Sequence, residues 1–220
     1  MEERSFVTPL HTSTRRDYIG RVTAADKAEC ATVAKQFGMD YWDGDRRYGY
    51  GGYRYDGRWA SVAEAMITAY ELKDDARILD VGCGKAYLLY ELKKLLPGAQ
   101  VAGLDISSYA ITHAKPEIKP YLREGHAKAL PFEDRAFDLV ISLGTLHNLP
   151  IFQLKPALQE IQRVQAGQAY IMVEAYRNER EKVNLLYWQL TCESFFHVDE
   201  WRWLFKEYGY TGDYEFIFFE

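Results

Sequence analysis

The chain has 220 residues, enough for one well-buried domain with a modest cap and too few for two independent ones. Hydrophobic residues make up 48% and charged residues 27%, which excludes a disordered, collagen-like or disulfide-scaffold class. The net charge of −5, with no run of Lys or Arg, repels phosphate backbones and excludes nucleic acid as the expected partner. In chain order, Ala28, Ala31, Val33, Ala34 and Phe37 recur at helical spacing and predict a helix over Ala24 to Phe37. From Asp40 to Trp59, glycine, acid, arginine and aromatic residues interleave without a period, which predicts a structured loop or lid. Ser61 can cap a helix running to about Leu72.

From Arg77 onward, short apolar runs alternate with helical stretches, the mark of βαβ units and a mainly parallel sheet. Strands are expected at Arg77–Val81, Gln100–Asp105, near Tyr121–Arg123, at Phe137–Leu143 and at Ala169–Glu174, with a closing strand at Tyr214–Phe219. Helices are expected over Ala86–Leu96, about Ser107–Ala114, about Phe152–Gln165 and Asp199–Tyr208. The fold expected is therefore α/β, a Rossmann-like doubly wound sheet, with residues 1–72 as a helical cap and Tyr/Gly-rich lid and residues 73–220 as the main domain. Cys30, Cys83 and Cys192 lack metal-site or disulfide spacing, so a reducing cytoplasm is expected. No export signal or membrane-spanning run is read, and Asp40, Asp43 and Asp45 lack the glycine and terminal Glu of a calcium loop, so no metal is predicted.

Ile78-Leu-Asp-Val-Gly-Cys-Gly84 stands where a first strand turns into a first helix, the place at which an open parallel sheet binds a nucleotide-like ligand. Any tight turn favours glycine, but Tyr87 occupies the third-glycine position of the dinucleotide fingerprint, and Asp80 is a poor neighbour for a pyrophosphate. A carboxylate there suits an ammonium or sulfonium charge instead. On these residues the chain resembles the class I S-adenosylmethionine-dependent methyltransferases of small-molecule type, over roughly Arg77 to Leu149.

The resemblance implies a strand order of 3-2-1-4-5-7-6, with the last strand missing or supplied by Leu190–Phe196. It also implies S-adenosylmethionine as donor and S-adenosylhomocysteine as product. It places Asp80, Gly82, Cys83 and Gly84 at the cofactor and gives Asp105 the ribose hydroxyls, which suit a carboxylate's two acceptor oxygens. A helix-capping role for Asp105 is the alternative. Ile106, His126, Ala127 and Leu143 are expected beside the cofactor as well. Many relatives carry an Asp at position 126; a histidine accepts only through an unprotonated nitrogen, which opens the alternative that backbone groups read the adenine. Ala86, where relatives often have glycine, is a departure the turn tolerates.

His147 is expected as a base or acceptor-positioning group, the other reading being a histidine satisfied at a loop–helix junction. In the lid, Arg47 and Tyr48 are expected against the cofactor and Tyr50 and Tyr53 against the acceptor, or else these side chains pack and pair on the surface. Arg46 is an alternative to Arg47 for the methionyl carboxylate or an anionic acceptor. Glu174, Tyr176 and Trp188 are expected at the acceptor, with Glu193 nearby; for Glu174 a pairing with Arg177 competes. The acceptor expected is a small polar metabolite such as a sugar or nucleotide sugar methylated on oxygen. N-methylation of an amine or guanidino compound, and a non-catalytic S-adenosylmethionine-binding subunit, are the rival readings.

Overall fold

A computed structural model describes residues 1–220. Six strands, β1 (Arg77–Val81), β2 (Gln100–Asp105), β3 (Leu122–Glu124), β4 (Phe137–Leu143), β5 (Gln165–Glu174) and β6 (Asp213–Ile217), form one sheet in the order β3-β2-β1-β4-β5-β6. Every pairing is parallel, so both faces must be covered, and the strands read as the near-continuous apolar runs that such burial requires. Side chains alternate along β1: Leu79 and Val81 face a core with Leu154, Leu158, Trp201 and Phe205, and Ile78 faces one with Met66, Leu89, Leu92 and Leu185. The expected α/β doubly wound architecture is present.

The first cover comes from α8 (Ile151–Val164) and α10 (Val198–Glu207), the second from α5 (Ala60–Ala69), α6 (Tyr87–Leu95) and α9 (Glu179–Trp188). α5, grouped with the cap in the sequence, thus packs into the core beneath the sheet. Ahead of it lie α1 (Thr8–Thr12), α2 (Tyr18–Thr23), α3 (Lys27–Ala34) and α4 (Met39–Trp42), and α7 (Ser108–Thr112) follows β2. Asp17, Asp26 and Ser107 cap α2, α3 and α7 by accepting from backbone N–H groups of the first turn. No helix is long and apolar enough to cross a membrane.

The seven-strand order is not filled. Leu190–Phe196 has no regular structure, and β6 pairs directly with β5, from Tyr170 with Asp213 to Glu174 with Ile217. The outer side of β6 is taken by the segment before α1: Tyr214 N–H donates to Glu2 O at 3.0 Å and Arg4 N–H to Tyr214 O at 2.8 Å. Glu215, 1% exposed, fixes that segment, accepting from the backbone N–H groups of Phe6 (2.7 Å) and Thr8 (2.5 Å), from Val7 N–H, and from the hydroxyls of Thr8 and Tyr170. Glu215→Gln turns an NH2 group toward donors, and thermal unfolding is expected to show a loss of about 2 kcal/mol.

Candidate active site

The turn after β1 can be built only with glycine. Gly82 adopts φ +80°, and a Cβ there would lie 1.9 Å from Thr145 Oγ1; a Cβ on Gly84, at φ +56°, would lie 2.7 Å from Trp42 Cη2. Ala86 also takes the left-handed conformation, φ +56°, with its methyl buried, at a cost of roughly 1 kcal/mol. At the head of this turn Asp80 is 4% exposed and its Oδ1 has no partner. Burial, reinforced by Asp105, pushes the Asp80 carboxyl up to about 7. Asp105 ends β2; its Oδ2 accepts from Gly84 N–H at 2.7 Å and its Oδ1 from Ser107 N–H at 2.7 Å. Ser107, not Asp105, caps α7, and each Asp105 oxygen keeps capacity for a further donor.

Two cavities meet over this turn. One, of about 220 Å³, is lined by Asp105, Ile106, His126, Ala127, Leu143 and Gln153 among others; the second, of about 180 Å³, contains Asp80, Cys83, Tyr53, His147, Glu174 and Thr191. Gly82, Gly144, Trp42 and Tyr50 border both. Trp42 Nε1–H reaches Ser107 Oγ at 2.9 Å, and its ring stacks on Tyr50 with centroids 5.3 Å apart. The tyrosine-rich segment is therefore a roof over the glycine turn.

A buried cation holds that roof down. Lys85 Nζ donates to both oxygens of Asp43 at 2.7 Å and to Tyr53 O at 2.9 Å, and Tyr109 Oη–H donates to Asp43 Oδ2 at 2.9 Å. Tyr87 Oη–H also donates to Tyr53 O, at 3.0 Å. Lys85→Met leaves Asp43 half-satisfied and is expected to cost about 2 kcal/mol. Limited proteolysis should then show faster cleavage between residues 43 and 58, while cleavage elsewhere is unchanged.

His147 is 2% exposed, and burial pulls its imidazole down to about 3, so it is neutral. Its Nδ1 accepts from Glu174 N–H at 3.2 Å, which leaves the proton on Nε2, 3.4 Å from Glu174 Oε2. His147 thus has no free basic nitrogen, and the direct-base reading is corrected on that ground: it stands behind Glu174. Glu174 Oε1 accepts from Gln189, whereas Oε2 has no hydrogen-bond partner. Burial pushes the Glu174 carboxyl up to about 8, against the pull of Gln189 and Arg16. The expected alternative pairing with Arg177 is absent, because Arg177 holds Glu181 at 2.5 Å and Glu220 at 2.6 Å.

Comparison with known proteins is decisive for the scaffold. The family described as a methyltransferase domain matches residues 72–209. The chain belongs to this family. It carries a class I S-adenosylmethionine-dependent methyltransferase domain. A Haemophilus influenzae protein without an assigned function is 27% identical over 165 residues, covering 67% of this chain and 63% of that protein. The demethylmenaquinone methyltransferase of Lactiplantibacillus plantarum is 34% identical over 114 residues, covering 48% of this chain and 46% of that one. The chain thus matches less than two thirds of the length of either relative. The crystal structure of YcgJ from Bacillus subtilis shares the fold with a TM-score of 0.55 at 21% identity, covering 66% of each chain.

The residues of this domain fit S-adenosylmethionine: Asp80 has a buried oxygen without a partner, a match for a cationic group, Asp105 retains acceptor capacity, and the glycine turn leaves room that any Cβ would fill. His126 is half-buried, and its Nδ1 accepts from Lys128 N–H at 3.2 Å, so that nitrogen is not free for an adenine amino group; burial and Lys128 hold the ring below its usual pKa. Ile106 is 54% exposed at the cavity mouth.

Four expected contacts lie elsewhere. Arg47 is exposed and pairs with Asp45 at 3.1 Å, because the short helical turn Arg46–Tyr48 points it outward. Tyr48 packs against Cys30, Ala34 and Leu190 in a cluster of its own. Tyr176 packs edge-on against His197 and lines neither cavity. Glu193 pairs with Lys35 at 2.5 Å on the surface. Trp188 lies in a third cavity, of about 420 Å³, which shares Tyr41, Tyr50, Tyr53, Glu174 and Thr191 with the chamber around Asp80. Trp42, Asn148, Gln189 and Thr191 were not singled out in the sequence, nor were Arg16 and Arg21, which fall where no element is read.

Proposed function

We propose that this methyltransferase transfers a methyl group to an oxygen of a small polar metabolite, with the acceptor held in the chamber between Asp80 and Glu174. The observation that carries this reading is that two buried carboxyl groups, each with an unpartnered oxygen, line one 180 Å³ space on opposite sides of the sheet's switch point. Asp80 faces the cationic methionyl end of the donor, and Asp105 takes the ribose hydroxyls. When bound, S-adenosylmethionine supplies an electrophilic methyl on a sulfonium.

Glu174 accepts the proton of the acceptor hydroxyl, and His147 positions Glu174 by accepting from its backbone N–H through Nδ1. The roof of Trp42, Tyr50 and Tyr53 keeps water from the reacting atoms. A carboxyl raised by burial suits proton removal near neutral pH better than an ordinary exposed one. Tyr50, Tyr53, Gln189 and Thr191 offer polar groups to orient a hydroxylated ligand.

The test is formation of S-adenosylhomocysteine with panels of hydroxylated sugars, nucleotide sugars and amines. Turnover confined to hydroxyl acceptors supports the reading, and turnover confined to amines overturns it in favour of N-methylation.

A further inference from the structure

The third cavity has a charge balance opposite to that of the whole chain. Among its lining residues the charged groups are five arginines, Arg16, Arg21, Arg46, Arg54 and Arg58, and two acids, Asp56 and Glu174. Arg58 consumes Asp56 through a fork of Nε (2.7 Å) and a second nitrogen. Three of the remaining guanidinium groups gather on one ring: Arg16, Arg21 and Arg46 lie 5.5, 5.5 and 5.2 Å from the Trp188 centroid. None of these three forms an ion pair.

Their fixed partners are neutral. Arg16 donates to His11 O at 3.2 Å, to Thr14 O at 3.0 Å and to His11 Nδ1 at 3.1 Å; Arg21 donates to Arg46 O at 2.5 Å, and Arg46 to Gly49 O. His11 is neutral, pulled down to about 4 by burial and Arg16. The Nε atoms of Arg16 and Arg21 are buried without any hydrogen-bond partner. Burial depresses the pKa of both, and Arg46 adds to the effect on Arg21. Three cations gathered in a net-acidic protein without an ion pair suit a multivalent anion between them.

We infer that the Arg16, Arg21 and Arg46 cluster over Trp188 is the docking site for a phosphoryl group of the methyl acceptor. This deepens the reading above and rests on it. The cavity shares Glu174, Gln189 and Thr191 with the reaction chamber, so an acceptor anchored by its phosphate at Trp188 presents a hydroxyl to Glu174. The substrate class is then a phosphorylated or diphosphate-linked polar metabolite. Three guanidinium forks exceed what one carboxylate occupies, and a phosphate's oxygens can accept from all three.

The probe is inorganic pyrophosphate, titrated into the whole protein with saturating S-adenosylhomocysteine and followed by tryptophan fluorescence and calorimetry. Phosphate, acetate and choline chloride at equal ionic strength are the comparison arms. The expected result is saturable binding of pyrophosphate alongside S-adenosylhomocysteine, tighter than acetate, and weakened about tenfold or more in Arg21→Met and in Arg46→Met. Arg46→Lys keeps the charge without the fork and should fall between, which gives a readout if a Met variant folds poorly.

Pyrophosphate that competes with S-adenosylhomocysteine would assign the arginines to the donor's carboxylate and overturn the inference. So would acetate binding as tightly as pyrophosphate, or unchanged pyrophosphate binding in a folded Arg21→Met/Arg46→Met double variant. No pyrophosphate binding with S-adenosylhomocysteine still bound refutes the anion site alone. Loss of S-adenosylhomocysteine binding to the unaltered protein strikes the donor-site assignment beneath it.

Discussion

Asp80→Asn is expected to bind S-adenosylmethionine about a hundredfold more weakly while the ligand-free protein becomes more stable, two changes of opposite sign from one oxygen-to-nitrogen exchange. Asp80 is buried beside Asp105 with one oxygen unpartnered. Its carboxyl is raised from 3.8 to about 7 in the folded chain, so the folded state holds a proton that the unfolded state has released. The sign follows: this group subtracts no stability below pH 4, and an increasing amount is lost as pH rises toward 7, reaching at most about 4 kcal/mol above it.

Asparagine cannot ionise and recovers part of that loss, about 1–2 kcal/mol at pH 8, since its own amide is also poorly satisfied. Binding of a cationic ligand demands the ionised carboxylate, so donor affinity of the unaltered protein should climb with pH up to about 7 and then level off. Chemical denaturation at pH 5 and pH 8, with calorimetry of the donor at the same values, checks both. An Asp80→Asn protein that is less stable at pH 8, or one that binds the donor normally, would remove the assignment of this oxygen to the ligand's positive charge.

Glu174→Gln should lower kcat by about 10² to 10⁴ and leave affinity for S-adenosylhomocysteine within about twofold. Glutamine preserves the shape and one acceptor oxygen at the chamber wall but cannot take a proton. Because burial holds the Glu174 carboxyl at about 8, kcat/KM of the unaltered enzyme is expected to rise with pH through that region as the carboxylate forms. The rise belongs to Glu174, since the buried imidazole of His147 stays neutral across this range. A merely structural Glu174 would move kcat without abolishing this limb of the pH profile. His147→Gln, which alters the positioning contact, should lower kcat less than Glu174→Gln and shift the limb rather than erase it.

The central half of the molecule was legible from residue order because its signals are local. Alternating apolar strands, the glycine turn at Gly82–Gly84 and the carboxylate at the end of β2 occupy fixed places in a right-handed crossover, and each appeared there. The outer parts depend on contacts between residues far apart in sequence. The segment Glu2–Arg4 carries no strand pattern, yet it lies along β6 because Asp213 holds the Glu2 N–H and the Arg4 guanidinium, while Glu215 holds the N–H groups of Phe6, Val7 and Thr8 that follow. α1 and α2 are five and six residues long, too short to show a period. α9 has little apolar asymmetry and was missed although Asn178 caps it.

The histidine at position 147 was visible as a residue, but the direction of its hydrogen bonds was not. Which ring nitrogen is free depends on the backbone N–H of Glu174, 27 positions later. Likewise Arg46 and Arg47 are neighbours in the lid, and only the turn at Asp45 decides that Arg46 faces Trp188 while Arg47 faces solvent.

The bridge from Arg4 to Tyr214 has a consequence for how the molecule is assembled. During synthesis, residues 77–149 can pair among themselves as soon as they emerge, whereas the early segment has to wait for β6, more than two hundred positions later. Residues 77–149 therefore carry their sheet pairings within one short stretch of chain. The cluster that combines Arg16 and Arg21 with Trp188 also joins residues more than 160 positions apart. On the proposed reading, substitutions in those segments retune the choice of acceptor while the nucleoside-binding middle is left undisturbed.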